Sequence, residues 1–302
     1  YMDIPHFIID MPYKDTAESR DYLVSMMEEG IEWMEKVTGR EYDDEKLFEA
    51  LKNEWNSGRY LAKVYEINKT VPAPFDYRQL WSLRLPSVSL RHKKETVEFY
   101  RDLLAEAEER VSQGISARGV EQCRLTHEGL PPFYNMSIFR YPVQYGAVVV
   151  AGTELFASFA VWKHLEDETW VMAPTWDELL KEVGIKELRT RKDALRVMAV
   201  EHVRYMHNGS YPYDKPLEFV SRVRDWKADG VIFHLDRGCS GASCGLMEGR
   251  LEVNQTGIPT VTYEASQADC RDFNEAQITD RLDSFFDILG LTRIETSDGG
   301  LP

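Results

Sequence analysis

Apolar positions in the first third of the chain recur every three or four residues, which is the spacing of one face of an α-helix. They predict a helix through residues 23–37 that ends at Gly39, a second helix that begins at Asp44, and a third across residues 94–113. The proline-rich stretch between the second and third helices, residues 71–87, is predicted to connect them with a single helical turn. Methionines and aromatic residues on these faces fit packing better than a cofactor site, so we predict a helical block without catalytic residues.

After Gly119 the pattern changes to short apolar runs that alternate with amphipathic stretches, as in a parallel sheet with crossover helices. The predicted strands are EQCRLTHEG (121–129), GAVVVAG (146–152), DGVIFHLD (229–236) and IPTVTYEA (258–265). The predicted helices are PLEFVSRVRDWKA (216–228), the segment after Gly245, and NEAQITDRLDSFFDILG (274–290). DALRVMAVEHV (193–203) fits a strand or a helix, and the opening IPHFIIDMP (4–12) fits a strand.

Length and charge narrow the function classes. The 302 residues, 43% of them hydrophobic, suffice for two lobes, which we place at residues 1–118 and 119–302. A net charge of −15 without a cluster of Lys and Arg argues against nucleic acid as a partner. The longest apolar run, residues 146–162, is interrupted by Thr153 and Glu154, so we expect a buried strand followed by a helix, and no membrane span. Four cysteines in a chain of this length favour a reducing cytoplasm over a secreted disulfide framework.

The residues that follow the predicted strands form the candidate functional set, because parallel sheets bind ligands at the carboxyl ends of their strands. They are His127 and Glu128 after the first strand, His234, Arg237, Gly238 and Cys239 around the end of the third, and Glu264 at the end of the fourth. A single histidine at a strand end is more often a hydrogen-bonded structural residue. The functional interpretation therefore rests on two histidines, several carboxylates and a thiol occurring on one rim.

Cys239 lies in the sequence GCSGASCG (238–245), for which several interpretations compete. A phosphate-binding loop would need a lysine, and a dinucleotide fingerprint would need a different glycine spacing. Cys239 and Cys244 are too far apart for a CxxC pair, which weakens a zinc site. Beside Arg237 and before a predicted helix, the Cys239 thiol is a candidate nucleophile, a candidate iron–sulfur ligand or a small buried side chain, with Cys244 and Cys270 as further candidate ligands.

The sequence HLDRGCSGASCGLMEGRLEVNQTGIPTVTYEASQADCRDFNEAQITDRLDSFFDILG (234–290) resembles the C-terminal part of the benzoyl-CoA reductase and 2-hydroxyacyl-CoA dehydratase family. The shared features are a strand, an Arg-Gly-Cys turn, a helix, the strand GIPTVTYE, an acidic residue and a final helix. IPHFIIDMP resembles the strand that closes the family's N-terminal domain, the helical block resembles its connector, and RLTHEGLPPFYN (124–135) resembles the strand that opens its second domain. The resemblance covers nearly the whole chain and is strongest to the B subunit of the benzoyl-CoA reductases.

This resemblance implies an α/β fold of two Rossmann- or flavodoxin-like parallel-sheet lobes joined by a helical block, with the N-terminal lobe incomplete in this chain. It implies a catalytic iron–sulfur subunit of an ATP-dependent benzoyl-CoA reductase, which transfers low-potential electrons to the aromatic ring of an aryl-CoA thioester and gives a cyclic dienoyl-CoA. The implied cofactor is a [4Fe-4S] cluster with Cys239 as one ligand, and the family's other cluster cysteines lie upstream of Tyr1. The implied partners are a homologous second catalytic subunit, ATP-hydrolysing iron–sulfur activator subunits, ferredoxin as the electron source and the acyl-CoA substrate.

The resemblance also suggests roles for the rim. The candidate proton donors or carbonyl partners are His127, Glu128, His234 and Glu264. Arg237, with Gly238 beside it, is the candidate cofactor-binding group, because its charge and hydrogen bonds would tune the cluster.

Three alternatives stay open. Within the family, the alternatives to the reductase are a subunit of a 2-hydroxyacyl-CoA dehydratase and a structural partner subunit with a vestigial site. Outside the family, a two-lobed sugar- or nucleotide-binding protein remains, although it gives no reason for an Arg-Gly-Cys turn at a strand end.

Overall fold

The computed structural model describes residues 4–12, 14–152, 162–164, 170–172, 174–209 and 216–294. The α-helices in these ranges are α1 Ala17–Thr38, α2 Asp44–Ile67, α3 Tyr77–Leu83, α4 Leu85–Ser89, α5 Lys94–Ser112, α6 Trp176–Val183, α7 Arg191–Gly209, α8 Pro216–Asp225, α9 Ser240–Ser243, α10 Leu246–Gln255 and α11 Glu275–Ile288. The strands are β1 Cys123–Glu128, β2 Ala147–Gly152, β3 Trp162–His164, β4 Trp170–Met172, β5 Gly230–Asp236 and β6 Thr260–Ala265. Short 3₁₀ segments occupy Phe133–Arg140, Pro142–Tyr145 and Cys270–Asp272.

The helical block contains the three predicted helices, α1, α2 and α5. Helix α1 begins where the Thr16 hydroxyl accepts the Ser19 N–H at 3.2 Å, and it ends at Gly39, whose φ of 66° suits glycine. The connector forms two short helices, α3 and α4, instead of the predicted single turn, because Asp76 and Gln79 make a capping box that starts α3. None of the helices in the described ranges combines the length and the apolar character that crossing a membrane requires.

Four strands form a parallel sheet in the order β2-β1-β5-β6, and β3 pairs with β4 in a separate antiparallel ribbon. The four predicted strands are confirmed as β1, β2, β5 and β6, and the three predicted helices of this region as α8, α10 and α11. Residues 193–203, which fit either a strand or a helix, lie within helix α7. The helix expected after β2 falls on residues 153–161, outside the described ranges.

The sheet is buried on both faces, as parallel sheets usually are. One face contributes Leu125, Ile232 and Tyr263 to a large core that also contains Tyr65 of α2 and Tyr100 of α5. The opposite face packs against α8 and α10 through a second core, whose members include Val231, Phe233, Phe219 and Val253. The α/β class is therefore confirmed, and the helical block shares a core with the sheet. The boundary at residue 119 and a second parallel-sheet lobe stay predictions.

The opening segment, residues 4–12, is not the predicted strand. Among the described residues no strand runs beside it, and a strand needs a hydrogen-bonded neighbour. Instead, the Phe7 ring packs on Trp33, with ring centroids 5.9 Å apart, and over Gly30 of α1. The isoleucines that suggested a strand are exposed, Ile8 at 72%.

Candidate functional site

The carboxyl ends of β1, β5 and β6 are neighbours, but the candidate side chains divide between the two faces of the sheet. His127 lies opposite Ile232 in the register, and His234 lies opposite Tyr263. Since successive residues of a strand point to opposite faces, His127 and His234 share one face, and Glu128 lies on the other. The candidate residues that the sequence predicted on one rim therefore form two sets, one on each face of the sheet.

His127 and His234 belong to a buried aromatic cluster. The Tyr263 hydroxyl lies 3.0 Å from Nε2 of His127, and the Tyr263 ring stacks on His234 with centroids 4.6 Å apart. The rings of Tyr77 and Phe139 pack against His127 at 5.5 and 4.8 Å. Both histidines are almost completely inaccessible to solvent, at 1% and 0% exposure. The structure brings the two predicted histidines together through a tyrosine.

Burial keeps these histidines neutral. It holds the pKa of His127 well below its ordinary value; the nearby His234 acts in the same direction, and the backbone of Gly129 opposes both effects. Burial also lowers the pKa of His234, against the opposing effect of the carbonyl oxygens of Leu130 and Ala265. Nδ1 of His234 contacts the Leu130 oxygen, and Nε2 lies 3.2 Å from the Ala265 oxygen. A neutral imidazole has a single N–H, so it donates to one of these carbonyls at a time.

Glu128 lies in an ion pair on the opposite face. Its carboxylate accepts from Nε of Arg222 at 3.1 Å, and Nη1 of the same arginine lies 3.3 Å from Oε1 of Glu218. All three side chains are buried, with Arg222 between the two carboxylates. These contacts are those of a structural ion pair, and a proton-donor role for Glu128 stays a prediction.

Arg237 and Glu264, which were predicted in separate roles, are paired with each other. Two nitrogens of the Arg237 guanidinium donate to Oε2 of Glu264 at 2.9 and 3.1 Å, and Nη1 donates to Asp272 at 2.7 Å. Both hydrogen-bonded carboxylates raise the pKa of Arg237, with Glu264 as the larger cause. The Arg237 side chain is half exposed, so this pair lies at the surface of the rim.

Cys239 ends the turn after β5 and precedes the four-residue helix α9. Its side chain is partly buried, Cys270 is exposed and Cys123 is buried. Burial is the main cause that raises the pKa of Cys123 to about 12, and the nearby Asp229 adds to it. Across the described part of the chain, no three His, Cys, Asp or Glu side chains are grouped so that they could hold a metal ion. The described residues therefore do not form a complete cluster site by themselves, and Cys239 as one ligand of an iron–sulfur cluster stays a prediction.

Two residues of the site were missed or left without a role in the sequence analysis. Tyr263 joins the two histidines, and the signal for it was the alternation within IPTVTYEA, which places Tyr263 on the face of His234. Asp236 accepts the Gly238 N–H at 2.7 Å, and its signal was an aspartate two residues before a glycine, which is typical of an Asx turn.

Comparison with known proteins identifies relatives over nearly the whole length of the chain. The family model for the D-component of 2-hydroxyglutaryl-CoA dehydratase matches residues 1–289. The alpha subunit of (R)-phenyllactyl-CoA dehydratase from Clostridium sporogenes is 25% identical, across 95% of this chain and 65% of that protein. The alpha subunit of (R)-2-hydroxyglutaryl-CoA dehydratase from Acidaminococcus fermentans is 26% identical, across 93% and 54%. The B subunit of benzoyl-CoA reductase from Thauera aromatica is 27% identical, across 96% and 65%. The chain therefore spans between about half and two thirds of the length of these relatives.

Proposed function

This chain belongs to the 2-hydroxyglutaryl-CoA dehydratase D-component family, and we propose that it is a catalytic subunit of an enzyme complex that acts on an acyl-CoA thioester. Cys239 is proposed as one ligand of a [4Fe-4S] cluster at the carboxyl end of β5. A bound cluster of this type supplies electrons one at a time.

The observation that carries this proposal is the place of Cys239. The thiol is partly accessible in a turn that joins a central strand to a short helix, directly beside the strand-end rim. Buried structural cysteines lie within cores, as Cys123 does. A partly open thiol at the ligand-binding edge of a parallel sheet instead suits coordination from one side.

The proposed reaction is the reduction of an aryl-CoA thioester, in line with the similarity to the B subunit of benzoyl-CoA reductase. Such a reaction needs a dry site and a nearby proton source. The buried cluster of His127, Tyr263 and His234 excludes water from the strand ends, and the half-exposed pair of Glu264 and Arg237 provides a polar surface at the same edge of the sheet. His127, His234, Glu128 and Glu264 remain the proposed proton donors or carbonyl partners, with Arg237 and Gly238 beside the cofactor.

The proposed partners follow from the proposal that this chain is a subunit of an acyl-CoA enzyme complex. The relatives are named as subunits of larger enzymes, so we propose a homologous second subunit that faces this one. An ATP-hydrolysing iron–sulfur activator with ferredoxin as the electron source is the proposed route by which electrons arrive. The described part of the chain does not complete a cluster site, and this is consistent with ligands that come from outside it.

Iron and acid-labile sulfide analysis with low-temperature EPR tests the proposal. The native complex would be purified anaerobically, along with complexes that carry Cys239→Ser or, as the matched control, Cys270→Ser. We expect one [4Fe-4S] signal to be lost or altered by Cys239→Ser alone, because Cys270 is exposed and lies on a different loop. An unchanged signal in Cys239→Ser would make this thiol a structural residue and overturn the proposal.

A 2-hydroxyacyl-CoA dehydratase is the second candidate, since relatives with that activity in their names match the chain as well as the reductase relative does. Incubation of the reduced complex with an aryl-CoA and, separately, with a 2-hydroxyacyl-CoA distinguishes the two. A dienoyl-CoA product supports the reductase, and an enoyl-CoA formed with loss of water supports the dehydratase.

A further inference from the structure

Asp236, the last residue of β5, joins two loops of the rim through a single oxygen atom. Its Oδ1 accepts the N–H of Gly238 at 2.7 Å and the N–H of Gln267 at 3.2 Å. Gly238 precedes Cys239 in the turn after β5, whereas Gln267 belongs to the loop after β6. Asp236 is only 4% exposed, and both hydrogen bonds are partly buried, which limits the competition from water.

Other contacts fix the same turn. The Arg237 N–H donates to the Ala265 oxygen at 2.9 Å, and the Ser243 hydroxyl donates back to the Asp236 carbonyl at 3.0 Å. There is no spare room at Gly238, since a Cβ there would lie 2.9 Å from the Ser266 hydroxyl oxygen and 3.2 Å from Oδ1 of Asp236. The turn therefore leaves β5 along a defined path, and Cys239 is its last residue.

The second oxygen of Asp236 has no hydrogen-bond partner in the described part of the chain, although it is buried. A buried polar atom without a partner costs free energy. An asparagine could accept the same two N–H groups through its own Oδ1. Replacement by asparagine therefore separates the bridging oxygen from the carboxylate charge.

We propose that Asp236 is the positioning residue that fixes the direction of the Cys239 thiol by clamping the Gly238 turn to the loop after β6. Its importance for catalysis rests on the proposed function, in which Cys239 is a cluster ligand. The clamp itself is a property of this chain's own residues and can be measured without a cluster.

The first test uses the full chain without a cluster. Peptide-resolved alkylation reports the reactivity of Cys239, and hydrogen exchange reports the amides of Gly238 and Gln267. In Asp236→Ala we expect the amides of Gly238 and Gln267 to exchange about tenfold faster than in the wild type, because each loses one hydrogen bond. We expect the alkylation rate of Cys239 to rise by about the same factor. Asp236→Asn keeps an acceptor at Oδ1 and should restore wild-type rates within about twofold, since a change of that size is small beside the loss of one hydrogen bond.

Two further variants keep the test decisive. Gly238→Ala inserts a methyl group between Ser266 and Asp236, so it should disturb the same clamp while Asp236 remains in place. Asp269→Ala removes a half-exposed aspartate on the loop after β6 that pairs with Arg271, and it should leave Cys239 unchanged. Wild-type alkylation and exchange in both Asp236→Ala and Gly238→Ala would overturn the proposal, as would equal effects of Asp236→Ala and Asp269→Ala.

The second test uses the anaerobic complex and separates this proposal from the proposed function. We expect Asp236→Ala to alter the [4Fe-4S] EPR signal that depends on Cys239, and Asp236→Asn to retain its line shape. A signal that is insensitive to Cys239→Ser would refute the ligand role, while the alkylation and exchange results would still decide whether Asp236 clamps the turn. A Cys239-dependent signal that Asp236→Ala leaves unchanged would refute the positioning role alone.

Discussion

Two neighbouring residues of β1, His127 and Glu128, lie in opposite environments although both are completely buried. His127 faces aromatic rings and a tyrosine hydroxyl, and its low pKa keeps it neutral. Glu128 faces Arg222, which also pairs with Glu218. A step of one residue along the strand thus separates an uncharged hydrogen-bonded cluster from a buried ion pair.

The difference shows how each face meets the cost of burying polar groups. On the histidine face, the imidazoles avoid the cost of a buried charge by staying neutral. On the glutamate face, charge is retained and must be matched by a partner, because an isolated buried charge is far more costly than a buried hydroxyl or imidazole. The two faces should therefore respond differently to the loss of one group and to pH.

The largest effect is expected from Arg222→Met. The substitution leaves the carboxylates of Glu128 and Glu218 buried without this guanidinium, so the free energy of unfolding should fall by about 3–5 kcal/mol. Urea denaturation of the purified chain measures the change.

Arg224→Met is the matched control, because it replaces another arginine of helix α8, whose partner is its neighbour, Asp225. That pair lies at the surface, and its loss should change the free energy of unfolding by less than about 1 kcal/mol. If the two variants were equally stable, the interpretation of the buried pair as a structural element would be wrong.

The sequence was sufficient to predict most of the fold of the second part of the chain. Runs such as GAVVVAG are continuous and apolar because β2 is buried on both faces, so a strand of this kind can be recognised in a single sequence. The opening IPHFIIDMP is also rich in apolar residues, but no strand of the described part of the chain runs beside it, and residues 4–12 are irregular. Composition indicates which segments can be strands, but pairing, which depends on distant parts of the chain, decides whether they are.

The candidate site was predicted less completely. Strand-end position correctly placed His127, His234 and Cys239 on one edge, because parallel strands align their carboxyl ends. It could not reveal that Glu128 pairs with Arg222 on helix α8, 94 positions further along the chain. The geometry of a site depends on contacts between segments that are distant in the chain, and these contacts cannot be read from a single sequence.

A smaller effect is expected from Tyr263→Phe on the histidine face. The substitution leaves the ring in place but removes the hydroxyl that lies 3.0 Å from Nε2 of His127, which should cost about 1–3 kcal/mol of unfolding free energy. Tyr22→Phe is the control, since the Tyr22 hydroxyl bonds to Asp10 at an exposed position, and its loss should cost less than about 0.5 kcal/mol. Equal stabilities of Tyr263→Phe and the wild type would show that this hydrogen bond has no structural weight.

The smallest effect is the pH dependence of the histidine face. In the folded chain the pKa of His127 lies well below 6.5, its ordinary value, so the unfolded chain binds a proton more tightly. The stability that neutral His127 provides is complete above pH 6.5 and is lost as the pH falls below this value towards the folded pKa. Between pH 6.5 and 5.5 the loss should be about 1 kcal/mol for this residue.

His127→Phe keeps an aromatic ring among Tyr77 and Phe139 but cannot titrate, so its urea midpoint should fall less steeply over this interval than that of the wild type. Between pH 7.5 and 8.5 the two curves should run parallel, because His127 is neutral in both the folded and the unfolded chain. Parallel curves below pH 6.5 as well would mean that His127 has the same pKa in the folded and the unfolded chain. The distinction between a neutral histidine face and a charged glutamate face of the sheet would then be wrong.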